Sequence, residues 1–104
     1  MATATYSARI GVGGDGTVSI RTNSQETWTV AQISIELEGA PSGAIANLRK
    51  NGYLVTPMIA AGDVAAGDPY VRLLPSDVLT VEWENCTLGQ IGKVLAFYEP
   101  VKST

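Results

Sequence analysis

The chain has no histidine, a single cysteine and few charges. Without histidine, a Ser or Cys nucleophile loses its usual general base. With one cysteine besides, neither a Cys cluster nor a His pair exists to hold structural zinc. No metal and no cofactor is expected, and no catalytic residue is assigned. Cys86 has no second thiol to pair with, and near the end of a strand pattern it reads as a small apolar residue. Charged residues are 16% of the chain, against about 25% in ordinary soluble domains. Seven basic and ten acidic residues leave a net charge of −3. The basic ones are scattered, and the adjacent pair Arg49-Lys50 precedes an Asn-Gly turn. That is a solvated hairpin end, not a nucleic-acid patch. No apolar run approaches a membrane span. The first residues lack a basic segment followed by an apolar one, so no secretion signal is expected. On that ground the sequon Asn85-Cys86-Thr87 is a chance match.

What the chain does have is period-two alternation. Residues 27–38 and 78–84 alternate apolar and polar side chains. This buries one face of a strand and wets the other. With 45% hydrophobic residues in 104, one core forms without disulfides. The expected organisation is a single domain, residues 1–104, with a short N-terminal arm (1–5) and a C-terminal tail (101–104).

The first strand is expected over residues 5–12, with Tyr6, Ala8, Ile10 and Val12 on one face. Gly13-Gly14-Asp15-Gly16 lacks the Gly-Lys-Ser/Thr ending and the following helix of a phosphate loop. It reads as a hairpin turn into a second strand, residues 17–22, with Val18 and Ile20 inward. In the third strand Trp28 and Val30 share one parity, while Ile33, Ile35 and Leu37 share the other. A β-bulge at Ala31-Gln32 returns both sets to one core, unless the strand bends there from one sheet to the other. Asn51-Gly52 supplies the two positive-φ residues of a type I′ turn between residues 44–49 and 53–56. Residues 57–69, with Ala60-Ala61-Gly62-Asp63 nearly repeated as Ala65-Ala66-Gly67-Asp68, read as a surface loop. Its two carboxylates are too sparse for a calcium loop. Strands follow at 70–74, 78–84 and 93–99, the last apolar on both faces. Eight strand candidates without helical periodicity predict an all-β antiparallel sandwich, jelly-roll-like. Its predicted core is Trp28, Ile33, Ile35, Leu79, Val81, Trp83, Leu95 and Phe97.

The runs Trp28-Thr-Val-Ala-Gln-Ile-Ser-Ile-Glu36, Leu48-Arg-Lys-Asn-Gly52, Ala66-Gly-Asp-Pro-Tyr70, Leu74-Pro-Ser-Asp-Val-Leu-Thr-Val-Glu-Trp83 and Gly89-Gln-Ile-Gly92 resemble small β-sandwich virion proteins of tailed bacteriophages, especially those of actinobacteria. The order and spacing of these phrases carry the resemblance. Pro75-Ser76-Asp77 departs from the Pro-Gly-Asp often found before a strand in such sandwiches. The resemblance implies a structural, non-enzymatic role in the particle as a decoration or minor capsid protein, with a tail component as the alternative. It also implies location in the virion after assembly in the host cytoplasm.

Two other classes remain. A carbohydrate-binding module stacks sugars on exposed aromatics, and here Tyr53 and Tyr70 are better placed than the inward-reading tryptophans. A glycosidase needs paired carboxylates, and Glu36 with Glu38 or Glu82 with Glu84 lie two apart on a strand. Such pairs read more simply as wet faces. Low charge and unguarded sheet edges predict self-association, with a trimer as the favoured closed form. Contacts to the major capsid protein or another virion protein are expected through the arm Ala2, Thr3, Ala4 and Thr5 and through Ala60, Ala61, Val64, Ala65, Ala66 and Tyr70. No nucleic-acid or membrane partner is expected.

Overall fold

A computed structural model of the protein describes residues 2–22, 25–39 and 43–102. Among these residues there are eight strands and no helix: β1 (Ala2–Arg9), β2 (Gly16–Ile20), β3 (Glu26–Leu37), β4 (Ile45–Lys50), β5 (Tyr53–Ile59), β6 (Gly62–Leu73), β7 (Leu79–Glu84) and β8 (Ile91–Lys102). They form two four-stranded sheets, β1-β8-β3-β6 (sheet A) and β2-β7-β4-β5 (sheet B). Every pairing is antiparallel.

The topology follows from one turn. Asn51 (φ 51°) and Gly52 (φ 87°) make the left-handed pair that a two-residue hairpin needs. From that turn the chain doubles back on itself: β4 pairs with β5, β3 with β6, β2 with β7 and β1 with β8. This long ribbon then rolls over so that β8 meets β3 and β4 meets β7. An eight-stranded double sheet with this order is a jelly roll.

The parity switch in β3 is a β-bulge. Its registers with both β6 and β8 shift between Val30 and Gln32, and Trp28, Val30, Ile33, Ile35 and Leu37 are all buried. Trp83 fills the centre. Its cross-strand neighbours are Gly16 and Ala46, and a Cβ on Gly92 of the facing sheet would lie 2.7 Å from the indole. Small residues on three sides make the room for that ring. At the far end Trp28 stacks on Tyr98 with centroids 3.8 Å apart.

Several sequence expectations change. In β8 the buried residues are Gly92, Val94 and Ala96, while Leu95 and Phe97 are half-exposed on the outer face. Pairing explains it: Val94 lies across from Ile35 and Ala96 from Ile33, and cross-strand partners share a face. At Gly92 the Trp83 indole leaves no room even for a Cβ. The Gly-rich turn does close locally, with Gly11 N donating to Asp15 O at 2.9 Å. Yet it joins β1 of sheet A to β2 of sheet B, and not two paired strands. Val12 lies past the end of β1 and is 92% exposed. Residues 57–69 are not a loop: they hold the end of β5, a short turn at Ala60-Ala61 and most of β6. Pro57 is tolerated there because β5 is an edge strand. Residues 2–5 of the expected N-terminal arm are the first half of β1, and Val101 and Lys102 of the expected tail belong to β8, while Met1, Ser103 and Thr104 lie outside the described residues.

Candidate functional site

The two sheets present outer faces of different chemistry. On sheet A the pairing sets residues in cross-sheet rows. One row is Thr3–Phe97–Gln32–Ala66 and the next is Thr5–Leu95–Ser34–Val64. Neither holds a charge. The third, Ser7–Lys93–Glu36–Gly62, ends the uncharged area with an ion pair between Lys93 and Glu36 at 3.9 Å. Gln32 Nε2 donates to Ser34 Oγ at 3.1 Å, so part of the polar content is satisfied within the face. A shallow depression of about 260 Å³ lies against Thr5, Ser34, Glu36, Lys93 and Leu95. A second of about 340 Å³ continues it past Lys93 to Gln90 and Ile91.

On sheet B the central outer positions are charged and mutually bonded. Arg49 Nε donates to Glu82 at 2.6 Å and Asn47 Nδ2 to Glu84 at 3.2 Å. Apolar residues are exposed on this sheet as well: Tyr53, Leu54, Val55 and Ile59 along the β5 edge, and Ile45 of β4 across from Ile59.

The ends of the sandwich are fixed by backbone and amide bonds. Asp77, 8% exposed, accepts from Asn51 Nδ2 and from Leu74 N, each at 2.9 Å, and lies 3.6 Å from Lys50 Nζ. Asn51 in turn exchanges bonds with Val78, so the β4–β5 turn is locked to the β6–β7 turn. The Asn51 amide bond, followed by the Leu74 N–H, holds the Asp77 carboxyl below the usual carboxylate range. At the opposite end Gln90 Nε2 donates to the carbonyls of Glu38 and Gly39, while Gln90 Oε1 accepts from Thr87 N. Burial, with Asp15 nearby, pushes the Cys86 thiol up from its ordinary value, the reverse of what a nucleophilic thiolate needs.

The expected contact residues divide. Thr3, Thr5, Val64 and Ala66 come together on the outer face of sheet A. Ala60 and Ala65 are buried in the core, so neither is a contact residue. Their small size serves the packing under the β5–β6 turn and under β3. Ala2 and Ala4 lie half-buried on the inner side of β1. Ala61 is exposed in the turn, its carbonyl accepting from Leu37 N. Tyr70 is half-buried and its hydroxyl shares a hydrogen bond with the Thr56 hydroxyl. Leu95 and Phe97, assigned from sequence to the core, are the main apolar residues of this face. The signal for them was present: β8 is apolar at every position from 94 to 98.

Both tryptophans are buried, so neither offers a sugar-stacking platform. Tyr53 is 80% exposed, but it stands on β5 of the other sheet from Tyr70. Glu36, Glu82 and Glu84 lie on open sheet faces, with Glu82 bound to Arg49, Glu84 to Asn47 and Glu36 beside Lys93, and Glu38 lies in the turn after β3. No family model, no curated protein and no solved structure matches the chain.

Proposed function

We propose that this protein is a non-enzymatic structural component of a tailed-bacteriophage virion, a decoration or minor capsid protein that binds the particle and stabilises it. One observation carries the reading: two consecutive rows of the sheet A outer face hold Leu95, Phe97, Val64 and Ala66 among Thr, Ser and Gln with no charge. A monomer gains solubility from charge on such a face, and an uncharged apolar and hydroxyl surface fits a covering partner. The sequence phrases that resemble small virion proteins support the same reading. So does the jelly roll, by analogy alone, since the fold serves capsid, lectin and cupin domains alike.

In this reading the face of Thr3, Thr5, Leu95 and Phe97 docks on the major capsid protein or another larger virion protein, and copies associate with each other. A tail component would use the same face. The test is to purify particles from lysate of the host that makes this protein and probe them for it by mass spectrometry. Co-migration with intact particles at a fixed copy ratio is expected. Its absence from particles while abundant in the lysate would sink the reading.

A further inference from the structure

We infer that two copies of this chain join through the edge of β1, running antiparallel about a two-fold axis at Thr5 and fusing the two A sheets into one of eight strands. This deepens the self-association read above and rests on that part of it alone, not on where in a particle the protein sits.

The sandwich has four strand edges, and three are blunted. β6 opposes four residues, 67–70, to the single bulged Ala31 of β3, a large interruption of its ladder. β5 carries Pro57 and a register shift opposite Leu48/Arg49. β2 has five residues, and Gly11 already sits against its start through the bond to Asp15 O. Bulges, proline and short length are the devices that stop an edge from pairing with another chain.

β1 has none of them. It pairs with β8 without interruption from Ala2 to Arg9 and contains no proline, glycine or lysine. Among the described residues no loop backbone bonds to positions 2–8. Every second residue therefore points its N–H and C=O outward, with no backbone partner among the described residues. The inner side of β1 is also incompletely covered. Ala2, Ala4, Tyr6 and Ala8 are all half-buried, whereas the inward residues of β7 are buried throughout.

The occupant is argued from the strand itself. With Thr5 opposite Thr5 of the second copy, Thr3 meets Ser7 and Ala4 meets Tyr6, each twice by symmetry. Hydroxyl pairs then line the outer side, a favourable cross-strand combination. On the inner side each phenol ring lies beside an alanine, so a large residue meets a small one. Sliding the strands by one pleat in one direction puts both Tyr6 rings at one inner position. Sliding the other way shortens the ladder to five residues. A two-fold axis closes at two copies, so a dimer replaces the trimer expected from composition.

The test is sedimentation of the purified protein at micromolar concentrations, unsubstituted and with Thr5→Lys or Thr5→Glu. Thr5 is exposed, so the fold tolerates both. The unsubstituted protein should sediment as a dimer. Each variant alone brings like charges face to face on the axis and should weaken the dimer at least about tenfold. Mixing the two variants should restore it as a heterodimer. A monomer or trimer in the unsubstituted protein, a dimer untouched by Thr5→Lys, or no recovery in the mixture overturns the inference. A dimer that is absent from particles leaves this inference standing and defeats the virion reading. Particles that incorporate a monomer do the reverse.

Discussion

On the outer face of sheet B, Arg49 and Asn47 bond Glu82 and Glu84 across the strands. On the outer face of sheet A the equivalent central positions are Leu95 and Phe97, flanked by Thr3, Thr5, Gln32 and Ser34. Both faces come from the same pleat and the same two-residue period. What differs is charge: paired charges occupy the centre of the sheet B face, with its exposed apolar residues Ile45, Leu54 and Ile59 toward the β5 side, while two whole rows of the sheet A face carry none. The first arrangement suits a face that stays wet. The second suits a face that becomes covered.

The inner faces, by contrast, are shared, and damage there should fall on both sheets at once. Trp83→Ala removes the ring between the sheets and should cost about 3–5 kcal/mol, read from urea unfolding. Gly92→Ala presses a methyl into the indole from sheet A and should cost about 1–3 kcal/mol; a companion Trp83→Phe should relieve part of that loss in a double-mutant cycle. Should Gly92→Ala prove neutral, the close packing of the two sheets at this point is wrong.

Asp77→Ala removes the carboxylate that braces the locked turns, leaving the Asn51–Val78 bonds in place, and should cost about 1 kcal/mol. Its pH dependence has a definite sign. The Asp77 carboxyl is held below the ordinary range in the folded protein. Its contribution is therefore complete above the pKa of an unfolded aspartate, falls as pH drops through that value, and is gone below the depressed folded one. Acid unfolding curves of Asp77→Ala should be flatter across that window than those of the unsubstituted protein; parallel curves would remove Asp77 from the account. The smallest effect belongs to the wet face. Arg49→Ala is expected to cost about 0.2–1 kcal/mol, diminishing in salt, because the Arg49 and Glu82 side chains are 34% and 38% exposed. A salt-independent loss of several kcal/mol would mean that the sheet B face is not simply a solvated one.

Local geometry was legible in the sequence, and the assembly of strands into faces less so. The Asn51-Gly52 turn and the bulge at Ala31-Gln32 follow from residue chemistry and from a broken parity, and both are present. The β8 face was not legible, because residues 94 to 98 are apolar on both sides and pairing with Ile33 and Ile35 decides which side is buried. Residues 57–69 read as a loop because Pro, Ala and Gly are weak strand formers. Backbone pairing of β6 to β3 overrides that preference. The Gly-rich turn carries no mark of which sheet receives the next strand. The proposed contact face inherits these difficulties: Thr3, Thr5, Val64 and Ala66 follow from composition, while Leu95 and Phe97 need the register.

The difference between the two faces is tested most directly by placing one new charge on each and measuring particle occupancy beside thermal stability. Leu95→Lys puts it on the uncharged face of sheet A, and Asn47→Lys puts it beside Glu82 and Glu84 on sheet B. Leu95→Lys should fold with little change in melting temperature yet drop out of purified particles, while Asn47→Lys should be incorporated like the unsubstituted protein. Full occupancy of the Leu95→Lys variant, or loss of Asn47→Lys alone, would contradict this expectation.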